Sequence, residues 1–180
     1  MLIAPKKLLG ATLIELMVGI AILGILLIAA APSFSAWIAN TKIRTVAESI
    51  QNGLQIARNE AMKRNTNVAF RLDDGSSWSI FVVSTAEKLQ TRVKEEGSTS
   101  KVSVIAEPAG STTVTYTALG RIASSNLVAP ATPFTRLNID IPSSILSAAD
   151  SKDLAITTSS GGQIKMCDPN VSSTSDPRKC

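Results

Sequence analysis

One uninterrupted apolar stretch constrains the fold of this chain more than any other feature. Residues 11–31, ATLIELMVGIAILGILLIAAA, include a single charged side chain, that of Glu15. At about 1.5 Å of rise per residue, a helix over this stretch is roughly 30 Å long, which matches the hydrocarbon core of a bilayer. Because backbone groups in lipid must be satisfied within the segment, the stretch has to be helical there. The sequence therefore predicts a transmembrane N-terminal helix over residues 11–34.

Glu15 is the unusual residue of this helix. A carboxylate inside a membrane costs on the order of 2.5 kcal/mol or more, so it is either functional or tolerated near the membrane edge of an ordinary signal anchor. The flanking residues decide between these readings. The segment KKLLG over residues 6–10, followed by ATLIEL over 11–16, resembles the prepilin signal of type IV pilins and type II secretion pseudopilins. Ala11 departs from that pattern, since most family members carry Phe at this position.

The resemblance implies a specific maturation. Residues 1–10 would be a leader peptide, which a prepilin peptidase and N-methyltransferase removes between Gly10 and Ala11 before methylating Ala11. Glu15 would pair with the new terminal amine of a neighbouring subunit during assembly, and removing either charge would leave the other buried and uncompensated. Gly24 and Pro32 are also pilin-like, and Pro32 predicts a kink because proline removes a helical hydrogen bond.

The remaining residues, 35–180, suit one domain in size. The chain has 18 Lys and Arg against 14 Asp and Glu, and loss of Lys6 and Lys7 with the leader lowers the side-chain charge from +4 to +2. That balance is not by itself typical of nucleic-acid binding. The absence of histidine excludes a His-based catalytic triad or a His-containing zinc site.

The hydrophobic period changes from helical to alternating near residue 65. Before this point, apolar residues with the spacing of one helix face predict a helix over 35–64 that packs on a head; they are Ile43, Val46, Ala47, Ile50, Leu54, Ala57 and Ala61. After it, residues 66–167 are predicted to be β-rich. The predicted strands are 68–72, 78–83, 102–106, 113–122, 135–141, 154–159 and 163–167, with 84–100 as a surface loop.

Cys167 and Cys180 are the two cysteines of the chain. In an exported protein, two cysteines around a polar loop favour a disulfide, and two free thiols are the alternative. With the pilin resemblance, the predicted fold class is α+β: a type IV pilin fold with a long N-terminal helix, an antiparallel β-sheet head and a disulfide loop over 167–180.

Three further motifs resemble the FimT/FimU- and GspH-type pilin subunits: RNEA at 58–61, LGRI at 119–122 and GQIKMCDP at 162–169. This resemblance implies a FimU-like minor pilin that helps to prime and stabilise type IV pilus assembly. The alternatives are a FimT-like DNA-binding minor pilin of natural transformation and a GspH-type pseudopilin of type II secretion. The implied location is the inner membrane of a Gram-negative bacterium with the head in the periplasm, and then the pilus at the cell surface. The implied partners are other minor and major pilins, the inner-membrane assembly platform and membrane lipid.

DNA is a weaker candidate partner. The resemblance to FimT-type proteins implies DNA capture through basic residues that include a Gly-Arg-x-Arg motif. This chain has Ala123 in place of the second arginine of that motif, which weakens the DNA-binding interpretation. The cations that could converge near the last sheet and tail are Arg121, Arg136, Lys165, Arg178 and Lys179. DNA binding requires several cations on one face. The same residues are also typical of solvated strand edges that discourage edge pairing.

An enzymatic function is not expected. The candidate acids Asp73, Asp74, Asp150 and Asp153 fall in predicted turns and loops, where aspartate is favoured for backbone reasons, and Asp140 lies within the predicted strand 135–141. The sequence contains no nucleophile elbow, phosphate-binding loop or metal-ligand spacing, and no cofactor is implied.

Overall fold

The computed structural model describes residues 12–93 and 102–180. The chain divides between Ser35 and Ala36 into two compact units, an N-terminal helical unit and the larger unit Ala36–Cys180, called the head below. Helix α1 extends over Leu13–Arg64. The eight strands are β1 Val68–Leu72, β2 Trp78–Val82, β3 Lys88–Arg92, β4 Ser103–Glu107, β5 Thr113–Tyr116, β6 Arg136–Asp140, β7 Leu154–Thr158 and β8 Ile164–Cys167.

The N-terminal unit exposes aliphatic side chains all around its helix. Leu13, Ile20 and Ile28, for example, are 77%, 62% and 77% exposed. Within the described residues, no single helix has the length and hydropathy expected of a membrane span. The segments Leu13–Ile28 and Ser33–Arg64, taken together as a bent pair, meet that test by length and composition alone.

The head closes around one face of α1. All seven apolar residues predicted to form this face, from Ile43 to Ala61, are at most 2% exposed, which confirms the helical prediction. They share one hydrophobic cluster with strand residues such as Phe70, Leu137 and Ile156. The helix face is therefore the centre of the core.

The strands form two four-stranded sheets. The first has the order β3-β2-β1-β5 and the second the order β4-β6-β7-β8, with every neighbouring pair antiparallel. In the second sheet, alternation along β6 buries Leu137 and Ile139 and directs Arg136 and Asn138 to the other face. The predicted antiparallel head is confirmed, and its strands are divided between two sheets.

The prediction of a loop over 84–100 is wrong for the part that forms β3. This strand pairs with β2, and its exposure pattern leaves only Leu89 and Arg92 partly buried. Leu89 packs against the core cluster. An edge strand that contributes one apolar side chain to the core has little hydrophobic periodicity. The pattern of polar residues therefore did not indicate a strand here.

The prediction of one strand over 113–122 is confirmed for residues 113–116 and wrong for residues 117–122. Strand β5 ends at Tyr116, and the next residues form a turn in which the Thr117 N–H donates to the Arg121 carbonyl over 2.8 Å. Gly120 adopts a φ of +71°, which a strand does not allow. Ile122 returns to Tyr116 through an isolated bridge.

Trp78 joins the first sheet to α1. Its indole Nε1–H donates to Ser49 Oγ over 3.0 Å inside the core, and its ring lies 5.6 Å from that of Phe70. Gly53 makes this approach possible, since an added Cβ would lie 2.8 Å from a Phe70 ring carbon. The helix and the sheet are thus in direct contact through aromatic rings.

We expect Ser49→Ala to lower the free energy of unfolding of the head by about 1–3 kcal/mol, because the buried Trp78 N–H loses its acceptor. Urea unfolding of the unit Ala36–Cys180 measures this change. Ser144→Ala is the matched control: Ser144 is exposed, and its loss should stay within about 0.5 kcal/mol. Equal effects of the two variants would contradict the role given to Ser49.

Candidate functional site

The cleavage and methylation residues predicted from the sequence, Gly10 and Ala11, lie outside the described residues. Glu15, which the sequence predicts to act in assembly, lies in the first turn of α1. Glu15 Oε2 accepts hydrogen bonds from the Thr12 backbone N–H over 2.9 Å and from Thr12 Oγ1 over 3.1 Å. In return the Glu15 N–H donates to Thr12 Oγ1 over 3.3 Å. This reciprocal arrangement is a capping box, with Thr12 as the N-cap residue.

The capping box gives Glu15 a role within its own chain. It satisfies backbone donors that the start of a helix would otherwise leave unpaired. Sequence reasoning missed it, although the spacing Thr-x-x-Glu at residues 12–15 is its signature. Both hydrogen bonds from Thr12 reach the same oxygen, Oε2. The second carboxylate oxygen, Oε1, has its own lone pairs for a partner.

The predicted kink residues lie in different places. Gly24 lies inside the first of the two helical segments, and an added Cβ would meet nothing within 4 Å. Pro32 falls between the two segments. Their effect on the flexibility of the helix stays a prediction.

Two turns that contain glycine, one at Gly120 and one at Gly162, lie against α1 near its C-terminal end. Arg58 Nε donates to the Gly120 carbonyl over 3.0 Å, and the Ile122 N–H donates to the Ser160 carbonyl over 3.1 Å. A Cβ on Gly162, which has a φ of +82°, would lie only 1.9 Å from the Gly120 oxygen. The two turns can therefore touch only with glycine at position 162. We call this contact the glycine junction.

The glycine junction fixes one wall of an open groove of about 670 Å³. Its lining residues include Asn67, Leu119, Arg121, Ile122, Leu127 and Ser160, and we call it the Arg121 groove. Arg121 was predicted from the motif at 119–122, whereas Leu127 and the supporting Arg58 were not assigned a function. Because the groove is built from segments distant in sequence, only its central motif could be found from the sequence.

A disulfide between Cys167 and Cys180 closes the tail, with the two Cα atoms 5.0 Å apart, as predicted. Additional hydrogen bonds order the loop: the Asp168 N–H donates to the Arg178 carbonyl over 2.7 Å, and Lys179 Nζ donates to the Ser172 carbonyl over 3.1 Å. The guanidinium and the backbone N–H of Arg178 both donate to Asp176 and lower the pKa of this carboxyl to about 2.

Three of the five predicted cations lie near one another. Arg136 and Lys165 both pair with Thr157 in the second sheet, so they lie in one row on its outer face. Lys165 Nζ donates to the Lys179 carbonyl over 2.7 Å, which brings the tail to this row. Arg136 also donates to Asn138 Oδ1 over 2.7 Å.

Arg178 directly precedes Lys179 in the chain and so adjoins this row, whereas Arg121 belongs to a separate turn of the head. Arg121 lies near Arg58, whereas Arg178 lines a second groove together with Trp37, Thr41 and Arg44. Since about 17 residues of α1 separate Thr41 from Arg58, these ends are roughly 25 Å apart along the helix. Arg121 and Arg178 therefore do not lie side by side on the head.

The acids considered for catalysis have structural partners. Ser151 Oγ donates to Asp153 Oδ1 over 2.6 Å and contacts Asp140 Oδ1 at 3.1 Å. Burial raises the pKa of Asp140, and so does its hydrogen bond to Asp153. This arrangement ties the loop before β7 to the end of β6. Within residues 12–93 and 102–180, no three side chains of the types that bind metals come together.

A sequence model of the family described as Type II transport protein GspH matches residues 46–162. No curated protein sequence matches the chain. The structure is similar to the type IV minor pilin FimU of Pseudomonas aeruginosa strain PAO1 in two crystal forms. One has a TM-score of 0.53 and 18% identity, covering 72% of this chain and 94% of FimU. The other has a TM-score of 0.50 and 20% identity, covering 71% and 97%. The minor pseudopilin EpsH from the Type 2 Secretion System of Vibrio cholerae follows with a TM-score of 0.48 and 15% identity, covering 72% and 99%.

At such identities, the likeness to FimU establishes the fold alone. A long helix packed on antiparallel sheets, with a disulfide between Cys167 and Cys180, is the type IV pilin fold. The family match does show the family, because residues 46–162 make up more than half of the chain. The chain therefore belongs to the GspH family and is a pilin-like structural subunit, not an enzyme.

Proposed function

We propose that the chain is a FimU-like minor pilin that helps to prime and stabilise assembly of a type IV pilus. The observation that carries this proposal is the helix of the N-terminal unit, which is aliphatic on every side and bears a single carboxylate, Glu15, in its first turn. An exposed apolar surface of this size requires lipid or other apolar helices around it. Both environments are available to a subunit that passes from the membrane into the core of a filament.

In this proposal the chain is made as a precursor in the inner membrane of a Gram-negative bacterium. A prepilin peptidase cuts after Gly10 and methylates Ala11, and the assembly platform then inserts the subunit. Residues 11–34 serve first as membrane anchor and then as filament core. The head, whose C-terminal tail is closed by the disulfide, remains in the periplasm. It later lies on the pilus, next to other minor and major pilins.

Glu15 would contribute twice to this process. Its Oε2 caps the helix through Thr12, and its Oε1 is available to the terminal amine of a neighbouring subunit. Pairing the two charges would offset the cost of burying each of them away from water. A glutamine can form the cap but carries no charge, so the two roles can be separated by substitution.

We expect Gly10→Ala to leave an uncut precursor, because the peptidase requires glycine before the cleavage site in the family that the signal resembles. Electrophoretic mobility of the full chain in the source bacterium measures this. Gly24→Ala is the matched control, since an added Cβ there meets nothing within 4 Å. It should be cut normally. Normal mobility of the Gly10→Ala chain would contradict the cleavage site.

We expect Glu15→Gln and Glu15→Ala to be processed normally but to enter filaments at least about tenfold less than the native chain, because the partner amine is left without a counter-charge. Quantifying the chain in sheared filaments against the cell fraction measures this. If Glu15→Gln assembled normally and Glu15→Ala did not, the contribution of Glu15 would be the helix cap and the pairing hypothesis would be wrong.

A pseudopilin of type II secretion is the second candidate, and the description of the matching family favours it. Deleting the gene in its source bacterium separates the two functions. We expect loss of surface pili with unchanged export of type II secreted proteins. Normal piliation with failed export would instead identify the chain as a subunit of the secretion pseudopilus. Complementation with the native chain is the control for effects on neighbouring genes.

A FimT-like function in DNA uptake is less well supported. Arg178 is paired with Asp176. Lys165 and Lys179 donate to backbone carbonyls, and Arg121 and Arg178 lie beside positions of α1 that are roughly 25 Å apart. Because DNA affinity grows with the number of phosphates neutralised together, this distribution favours weak, non-specific contact at most.

A further inference from the structure

The Arg121 groove presents apolar side chains that the head does not use for its own core. Leu119 is 79% exposed, the largest exposure of any bulky apolar residue among the described residues of the head. Leu127, on the same groove, is 59% exposed. Two exposed leucines beside one cavity are a feature of surfaces that bind other proteins.

The backbone holds Leu119 in this position. The Gly120 N–H donates to the Thr117 carbonyl over 2.8 Å and closes the turn that carries Leu119. The Gly120 carbonyl accepts from Arg58, and the glycine junction fixes the opposite side of the turn. Leu119 therefore cannot fold back onto the core without breaking these contacts.

Leu127 is held out in the same way by the residue before it. The side-chain Oδ1 of Asn126 accepts from the Thr115 N–H over 3.0 Å, and its Nδ2 donates to the carbonyls of Thr113 and Pro130 over 2.8 Å each. Asn126 is buried and ties its loop to strand β5. A surface that is rigid before binding loses little conformational freedom on binding, which favours affinity.

Arg121 supplies the charge of this surface. Among the described residues that line the groove, it is the only charged one, and none of the described residues pairs with its guanidinium. Its carbonyl is engaged by Thr117, so the backbone at this position is fixed while the side chain projects from the turn. Arginine between apolar side chains is a frequent energetic centre of protein interfaces.

We propose that the Arg121 groove docks the head of another pilin-like subunit, through a segment that places a carboxylate on Arg121 and apolar side chains on Leu119 and Leu127. This inference rests on the proposed function, because it requires the chain to be assembled next to other subunits. The complementarity is specific: the groove offers one cation and two leucines, so the occupant has to provide one anion flanked by apolar groups.

A nucleic acid fits the groove less well. Phosphate backbones are bound by several cations together, and the groove has one. The exposed aliphatic surface of Leu119 and Leu127 gives a phosphate no partner. A protein segment satisfies both kinds of group at once.

Site-specific photocrosslinking of the full chain in its source bacterium tests this proposal. A benzoylphenylalanine at Ser124, which lines the groove, reports the occupant. The same residue at Ile145, an apolar position of the head that is 48% exposed, controls for non-specific contact. A third position, Ile20 in the N-terminal helix, reports incorporation into a filament independently of the head.

We expect the Ser124 position to crosslink to another pilin-like subunit, at a peptide that contains aspartate or glutamate, and the Ile145 position not to do so. Arg121→Glu should reduce the yield about tenfold, equivalent to about 1.4 kcal/mol, and Arg121→Lys should retain most of it. Replacing the partner carboxylate with lysine should restore the yield to the Arg121→Glu chain.

Two results would overturn the proposal while leaving the proposed function intact. In the first, Ile20 crosslinks to pilins and Ser124 does not. In the second, the Ser124 product is unchanged by Arg121→Glu. If nuclease digested the Ser124 crosslinked product, the occupant of the groove would be DNA and not another pilin-like subunit, and the proposal would be wrong. Absence of pilin products at both Ile20 and Ser124 would contradict the filament function itself.

Discussion

Packing of one face of α1 against two separate sheets is the constraint on which the rest of the head depends. The face from Ile43 to Ala61 shares a single buried cluster with Phe70 of the first sheet and Ile139 of the second. Small residues on this face allow close contact, as at Gly53, where a side chain would collide with Phe70. Once the helix is in place, the position of each sheet is fixed, and so are the turns that connect them.

The helix face and most strands could be predicted because their apolar residues repeat with a clear period. Strand β3 could not, because a polar edge strand with one core residue, Leu89, is held by backbone pairing that the sequence does not display. The end of β5 at Tyr116 could not be predicted from the sequence for a related reason. Residues 117–122 are compatible with a strand in composition, and the turn is imposed by contacts with Arg58 and residue Gly162 elsewhere in the chain.

Whether a candidate functional residue could be predicted likewise depended on whether its signal is local in the sequence. Glu15 and Arg121 were found because each stands in a recognisable local motif, whereas the cap formed by Thr12 was overlooked although its spacing is equally local. The Arg121 groove as a whole could not be predicted, since Asn67, Leu127 and Ser160 are brought together only by the folded sheets. Spacing in a sequence identifies side chains with unusual chemistry, and the tertiary fold decides which of them meet.

The disulfide of the tail has a consequence for the timing of maturation. Cys167 is buried at the end of β8, and pairing of β8 with β7 places its sulfur where Cys180 can reach it. A reducing cytoplasm would keep both cysteines as thiols, so in the exported head of the proposed function the bond forms only after export. Once formed, the bond links the end of the chain covalently to β8, so the tail stays at the second sheet even when the hydrogen bonds within its loop open.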